Sequence, residues 1–78
     1  MPLVVRERGF RFVIYTREQP YEPPHVHVQF GGEEVRIDLN SGDFMDEPPA
    51  GKRRAILEAY RKHAREIREA WARYHGGR

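Results

Sequence analysis

Cysteine is absent from the 78 residues, and with it go the disulfide framework, the thiolate zinc site and the cysteine nucleophile. Nothing in the composition therefore points to an oxidising compartment, and a cytoplasmic address is the expectation. Long apolar runs are missing as well. The opening run Leu3-Val4-Val5 is broken at once by Arg6-Glu7-Arg8, far short of a signal-peptide core or of the roughly 20 apolar residues that span a bilayer. A soluble chain with no membrane partner is expected. Charged residues make up 33% of the whole, so a single domain of this length has a thin core and gains from dimerisation or from a partner.

Charge is unevenly distributed. Residues 1 to 50 hold five arginines against nine acids, and residues 51 to 78 hold nine lysines or arginines against three glutamates, a balance of +2. A basic C-terminal half suits an anionic partner, but it also arises when a basic helix lies across an acidic sheet, and that plainer reading comes first.

The pattern is a run of strands followed by one helix. Phe10 to Tyr15 alternates with period two, with Phe10, Phe12 and Ile14 on one face and Arg11, Val13 and Tyr15 on the other. A first strand over about 3–6 precedes it, turning near Arg8-Gly9. Thr16 to Pro24 reads as a loop. His25 to Phe30 and Glu33 to Leu39 flank Gly31-Gly32, the dipeptide that supplies the positive φ angles of a two-residue hairpin. That turn sets Phe30 against Glu33, Val28 against Val35 and Val26 against Ile37. On the other face it sets His27 against Arg36, Gln29 against Glu34 and His25 against Asp38, the last pair within reach of a hydrogen bond. A slip of one residue would spoil both sets.

Residues 40–49 form an acidic loop, and a helix over about 50–75 follows. Leu57, Tyr60, Ala64, Ile67, Trp71 and Tyr74 make one apolar stripe, with Ile56 and Ala70 at its edge. Gly76 is placed to end the helix and Gly77-Arg78 to fray. The fold class is α+β: an antiparallel sheet of three or four strands with one long C-terminal helix on one face. The other face presents Arg11, Val13, Tyr15, His25, His27, Gln29, Arg36 and Asp38.

Pro23-Pro24-His25-Val26-His27-Val28 carries the chemistry. Two prolines stop any helix, and strand alternation puts both imidazoles on one face. A metal could use His25, His27 and Asp38, but two imidazoles and one carboxylate offer few ligands, so no metal and no cofactor is expected. A metal-free acid and base would use the His25 and Asp38 couple, with His27 as second proton carrier and Arg36 or Arg11 holding an anion, as in a small ribonuclease. RNA binding without chemistry would use Arg11, Arg36 and Tyr15, although a stacking platform usually shows more than one exposed aromatic. A structural His25–Asp38 pair that pins the strand register is the plain alternative.

Gly9-Phe10-Arg11-Phe12, Glu22-Pro23-Pro24-His25-Val26-His27-Val28 and Glu69-Ala70-Trp71 resemble the small bacterial domain of unknown function 4160, over nearly the whole chain. The resemblance implies a bacterial protein without an agreed activity. Its relatives are often encoded beside a domain of unknown function 2442 protein, an arrangement that looks like a toxin–antitoxin pair. The loop Gly42 to Ala50 departs from that family's pattern in being unusually acidic and proline-bearing. The expectation is a protein-binding module whose partner is encoded nearby, binding through Arg11, Tyr15, Gln29 and Arg36. The alternative is a metal-independent ribonuclease, with His25, His27 and Asp38 as its catalytic residues.

Overall fold

The computed structural model describes residues 3–15 and 22–76. Most of the expected loop over Thr16 to Pro24, and the frayed end Gly77-Arg78, lie outside them. Four strands, β1 (Leu3–Glu7), β2 (Phe10–Val13), β3 (His25–Phe30) and β4 (Glu33–Asp38), form an antiparallel sheet in the order β1-β2-β3-β4. Two hairpins close through tight turns with positive φ at both central residues: Arg8 at 54° with Gly9 at 83°, and Gly31 at 49° with Gly32 at 79°. Those angles match the twist of the flanking strands. The β3–β4 register is the one the Gly-Gly turn dictates, from Phe30 with Glu33 out to His25 with Asp38.

One face of the sheet is the core. Phe12, Ile14, Val26, Val28 and Ile37 have no exposed surface and meet Ile56 and Ile67 of the helix α1 (Arg53–Trp71). Among the described residues no helix is long and apolar enough to cross a membrane. The helix begins at Arg53 rather than near residue 50, because Gly51 at φ 81° cannot be helical. Its first turn carries cations and no acid, which opposes the helix dipole. Arg53 finds partial compensation in Glu47 at 3.5 Å and in the ring of Phe44.

The buried stripe is rotated from the expected one. Ile56, Ala59, Tyr60, Ile67 and Ala70 are buried, Leu57, Ala64 and Trp71 are half-buried, and Tyr74 is 40% exposed. Two departures from regular winding interrupt the helix. His63 has non-helical angles (φ −121°, ψ 15°), yet the buried positions keep their three- and four-residue spacing across it. Past Trp71 the chain widens into a π-helical turn, α2 (Ala72–Gly76), so Tyr74 no longer lies in line with Ile67.

The acidic loop folds back along β4. Asp38 N–H donates to Asp43 O (2.8 Å) and Met45 N–H to Arg36 O (2.8 Å), and Phe44 bridges to Ile37. The β4 edge from Arg36 to Asp38 is thus covered by the chain itself.

Candidate functional site

Strand alternation brings Arg6 of β1, Arg11 and Val13 of β2, His25, His27 and Gln29 of β3, and Glu34, Arg36 and Asp38 of β4 to the face away from the core. This face is not uniformly open. Val13 is 2% exposed, His27 8% and His25 0%, so its histidine end is covered.

Part of that cover is aromatic. The Tyr15 ring meets His27 edge-on at 4.2 Å, His27 meets His25 at 5.0 Å, His25 meets Trp71 at 5.6 Å, and Trp71 stacks on His75 at 4.0 Å. His75 Nε2–H donates to Tyr15 O, so the row of rings closes on itself. The expectation that His25 lies on an open face, away from the helix, is therefore corrected: the last residue of α1 reaches around the end of the sheet and packs on its ring. Trp71, expected to serve the core alone, borders the core with one part and the histidines with another.

Each ring is oriented by an acceptor. His25 Nδ1–H donates to Pro23 O at 2.8 Å, and because a carbonyl only accepts, the proton sits on Nδ1. Glu22 Oε1 stands 3.9 Å from His25 Nε2. His27 Nδ1–H donates to Glu34 Oε2 at 2.7 Å. Glu34 Oε1 in turn accepts from Gln29 Nε2 at 3.1 Å, with Tyr15 Oη at 3.5 Å, and Gln29 also donates to Tyr15 Oη at 3.1 Å. Four side chains from three segments are thereby locked in one network.

The His25–Asp38 couple pairs in register but not through its side chains. Asp38 Oδ1 accepts from the backbone N–H of Asn40 (2.7 Å) and Ser41 (3.1 Å), turning the chain out of β4. The carboxylate serving the histidines is instead Glu34, the diagonal neighbour of His27 across the strand pair. Arg36 is tied down as well. Its Nε and Nη2 donate to Asp46 Oδ2 and Oδ1, each at 2.9 Å, its own N–H donates to Asp46 Oδ2 at 3.0 Å, and Glu22 lies at 3.7 Å. This fork holds the Asp46 carboxyl below its ordinary value. Among the described residues no group of three or more His, Asp or Glu side chains is arranged to hold a metal ion.

Arg11 and Gln29 lie beside this network. They line a hollow of about 510 Å³ together with Glu33, Glu34 and the two glycine-bearing turns. Of the sequence-predicted residues, the structure brings Tyr15, His25, His27 and Gln29 into one cluster, leaves Arg11 exposed at its rim, and commits Arg36 and Asp38 to the loop that follows β4. Sequence reasoning passed over Glu22, Glu34, Asp46 and His75. The signal for His75 was its spacing of four from Trp71; for Glu34 it was the diagonal to His27.

A scan against family models matches residues 9–72 to the family described as Domain of unknown function (DUF4160). No curated protein and no solved structure matches the chain.

Proposed function

The chain belongs to the DUF4160 family, a membership that supplies no activity; from its geometry we propose a small protein-binding module, cytoplasmic as its composition suggests, and, as the resemblance implies, a bacterial member of a toxin–antitoxin-like pair. The partner is the protein encoded beside it, as the resemblance implies. The observation that supports this reading is the burial of His25 and His27. An acid and a base that cleave RNA must reach the substrate, yet these rings are covered and their Nδ1 atoms serve Pro23 O and Glu34. The metal-independent ribonuclease has the short His27–Glu34 contact in its favour, but its third residue, Asp38, is spent on a turn.

What the histidines do instead is stiffen the surface next to them. Tyr15 and Gln29 are held by Glu34 and by each other, so they lose little side-chain entropy when a partner arrives. Tyrosine and arginine are the residue types that anchor protein interfaces, and Tyr15 and Arg11 stand at two ends of the same face.

Co-expression with the adjacent gene product tests the proposal. Co-elution of the two chains on size exclusion, with RNA left intact by the free and bound protein, is expected. RNA cleavage by the purified chain that is lost in His27→Ala overturns it.

A further inference from the structure

Two cations on the outer face have no counter-charge among the described residues. Arg6 and Arg11 stand directly opposite each other on β1 and β2, both exposed, and like charges in that relation repel. Neither has a carboxylate partner among the described residues, although the chain is rich in acids. Two neighbouring ones are committed elsewhere. Glu7, next to Arg6, is taken by Lys62 and His63 of the helix. Glu34, two strands from Arg11 in the same row, is taken by His27 and Gln29, and the Gln29 side chain lies between them. Other arginines of the sheet are matched, Arg8 by Glu7 and Glu58 and Arg36 by Asp46 and Glu22.

The ground beside Arg11 is open. Gly9, Gly31 and Gly32 line the hollow, and a Cβ added at any of them would meet nothing within 4 Å. Its far wall carries Glu33 and Glu34. A nucleic acid, charged at every phosphate, would be repelled there, whereas a peptide can place one carboxylate over the arginines and a neutral stretch over the rest. Resting on the protein-binding reading above, we propose that Arg6 and Arg11 together receive a carboxylate side chain from an acidic segment of the partner protein, with the following residues of that segment laid in the glycine-lined hollow.

NMR of the labelled full chain tests this with three probes: a blocked peptide of one glutamate followed by alanines, its glutamine analogue, and oligouridylate. The glutamate peptide is expected to shift the Nε–Hε signals of Arg6 and Arg11 and the amide of Gln29, and to do so less as salt rises; the glutamine peptide should shift none of them. The double variant Arg6→Gln/Arg11→Gln, folded because both sites are exposed, should bind the glutamate peptide and the adjacent gene product at least about tenfold more weakly. Absence of the shifts, equal binding by the double variant, or the same shifts produced preferentially by oligouridylate overturns the proposal. If the adjacent gene product binds both forms equally, the arginine pair fails and the protein-binding reading stands. If it binds neither form, that reading fails, and the peptide titration still decides the arginine pair.

Discussion

Glu7 Oε1 and His63 Nε2 lie 3.0 Å apart across 56 positions of chain, fastening the end of β1 to the break in α1. The other imidazole nitrogen, Nδ1, lies 2.8 Å from Glu66 Oε1, and Lys62 Nζ donates to Glu7 Oε2 at 3.2 Å. Both ring nitrogens face carboxylates, which only accept at neutral pH, so both bonds form only when the ring carries two protons. The hydrogen bonds to Glu7 and then Glu66 accordingly raise the His63 pKa, and those from His63 and then Lys62 lower that of Glu7.

The pH dependence follows from these two directions. The His63 contribution is fully present below its ordinary value of 6.5 and is lost as pH rises through the elevated folded value. The Glu7 contribution is fully present above its ordinary value of 4.5 and is lost as pH falls through the depressed folded value. The latch is complete between pH 4.5 and 6.5. Urea unfolding of wild type and His63→Gln across pH should show the largest difference in that window and a smaller one on either side; a difference independent of pH would contradict it.

Asp46 is the hold of the acidic loop on β4. Asp46→Asn removes the charge that the Arg36 fork grips and should cost about 1 kcal/mol, the contact being partly solvated. Hydrogen exchange should quicken at the Met45 and Asp38 amides, which bond across this edge, and remain unchanged at Val28.

His25 fills a closed space against Trp71. His25→Ala should destabilise by about 2 to 4 kcal/mol through the cavity left behind and the unsatisfied Pro23 carbonyl. His25→Asn, whose amide can still donate to Pro23 O, should cost less. Equal losses for the two variants would mean that the hydrogen bond contributes nothing.

Arg8 occupies a left-handed conformation at φ 54° that a long side chain tolerates poorly. Arg8→Asn creates the Asn-Gly turn this geometry favours and gives up only exposed contacts of 3.8 Å with Glu7 and Glu58. A gain of about 0.5 kcal/mol in thermal unfolding is expected; destabilisation would show that those contacts matter more than the backbone.

Legibility in the sequence varied with the range of the contact. The whole β3–β4 register could be read because Gly31-Gly32 defines the turn and period-two alternation then checks itself on both faces. The antiparallel sheet and its covering helix followed from the same periodicities. The helix stripe was read with the wrong rotation, since Leu57, Ala64 and Trp71 flank the Tyr60–Ile67 line on one side as Ile56, Ala59 and Ala70 do on the other, and only packing on the sheet decides which side is buried. The histidine cluster was half visible. His25 and His27 belong to one strand, whereas their contacts with Trp71, and the return of His75 to Tyr15, depend on where the helix ends in space. Arg36 and Asp46, ten apart on either side of a turn, belong to no repeating pattern.

The loop that lies along β4 also gives the sheet two unlike borders. A foreign strand approaching the β4 side meets backbone groups already taken at Arg36 and Asp38, and so finds only Glu33 to Val35 to pair with before it collides with Phe44 and Met45. Among the described residues the opposite border, β1, is paired only with β2. Lateral growth of the sheet, whether in a misassembled aggregate or in a deliberately engineered fusion, is therefore blocked on the β4 side beyond Val35.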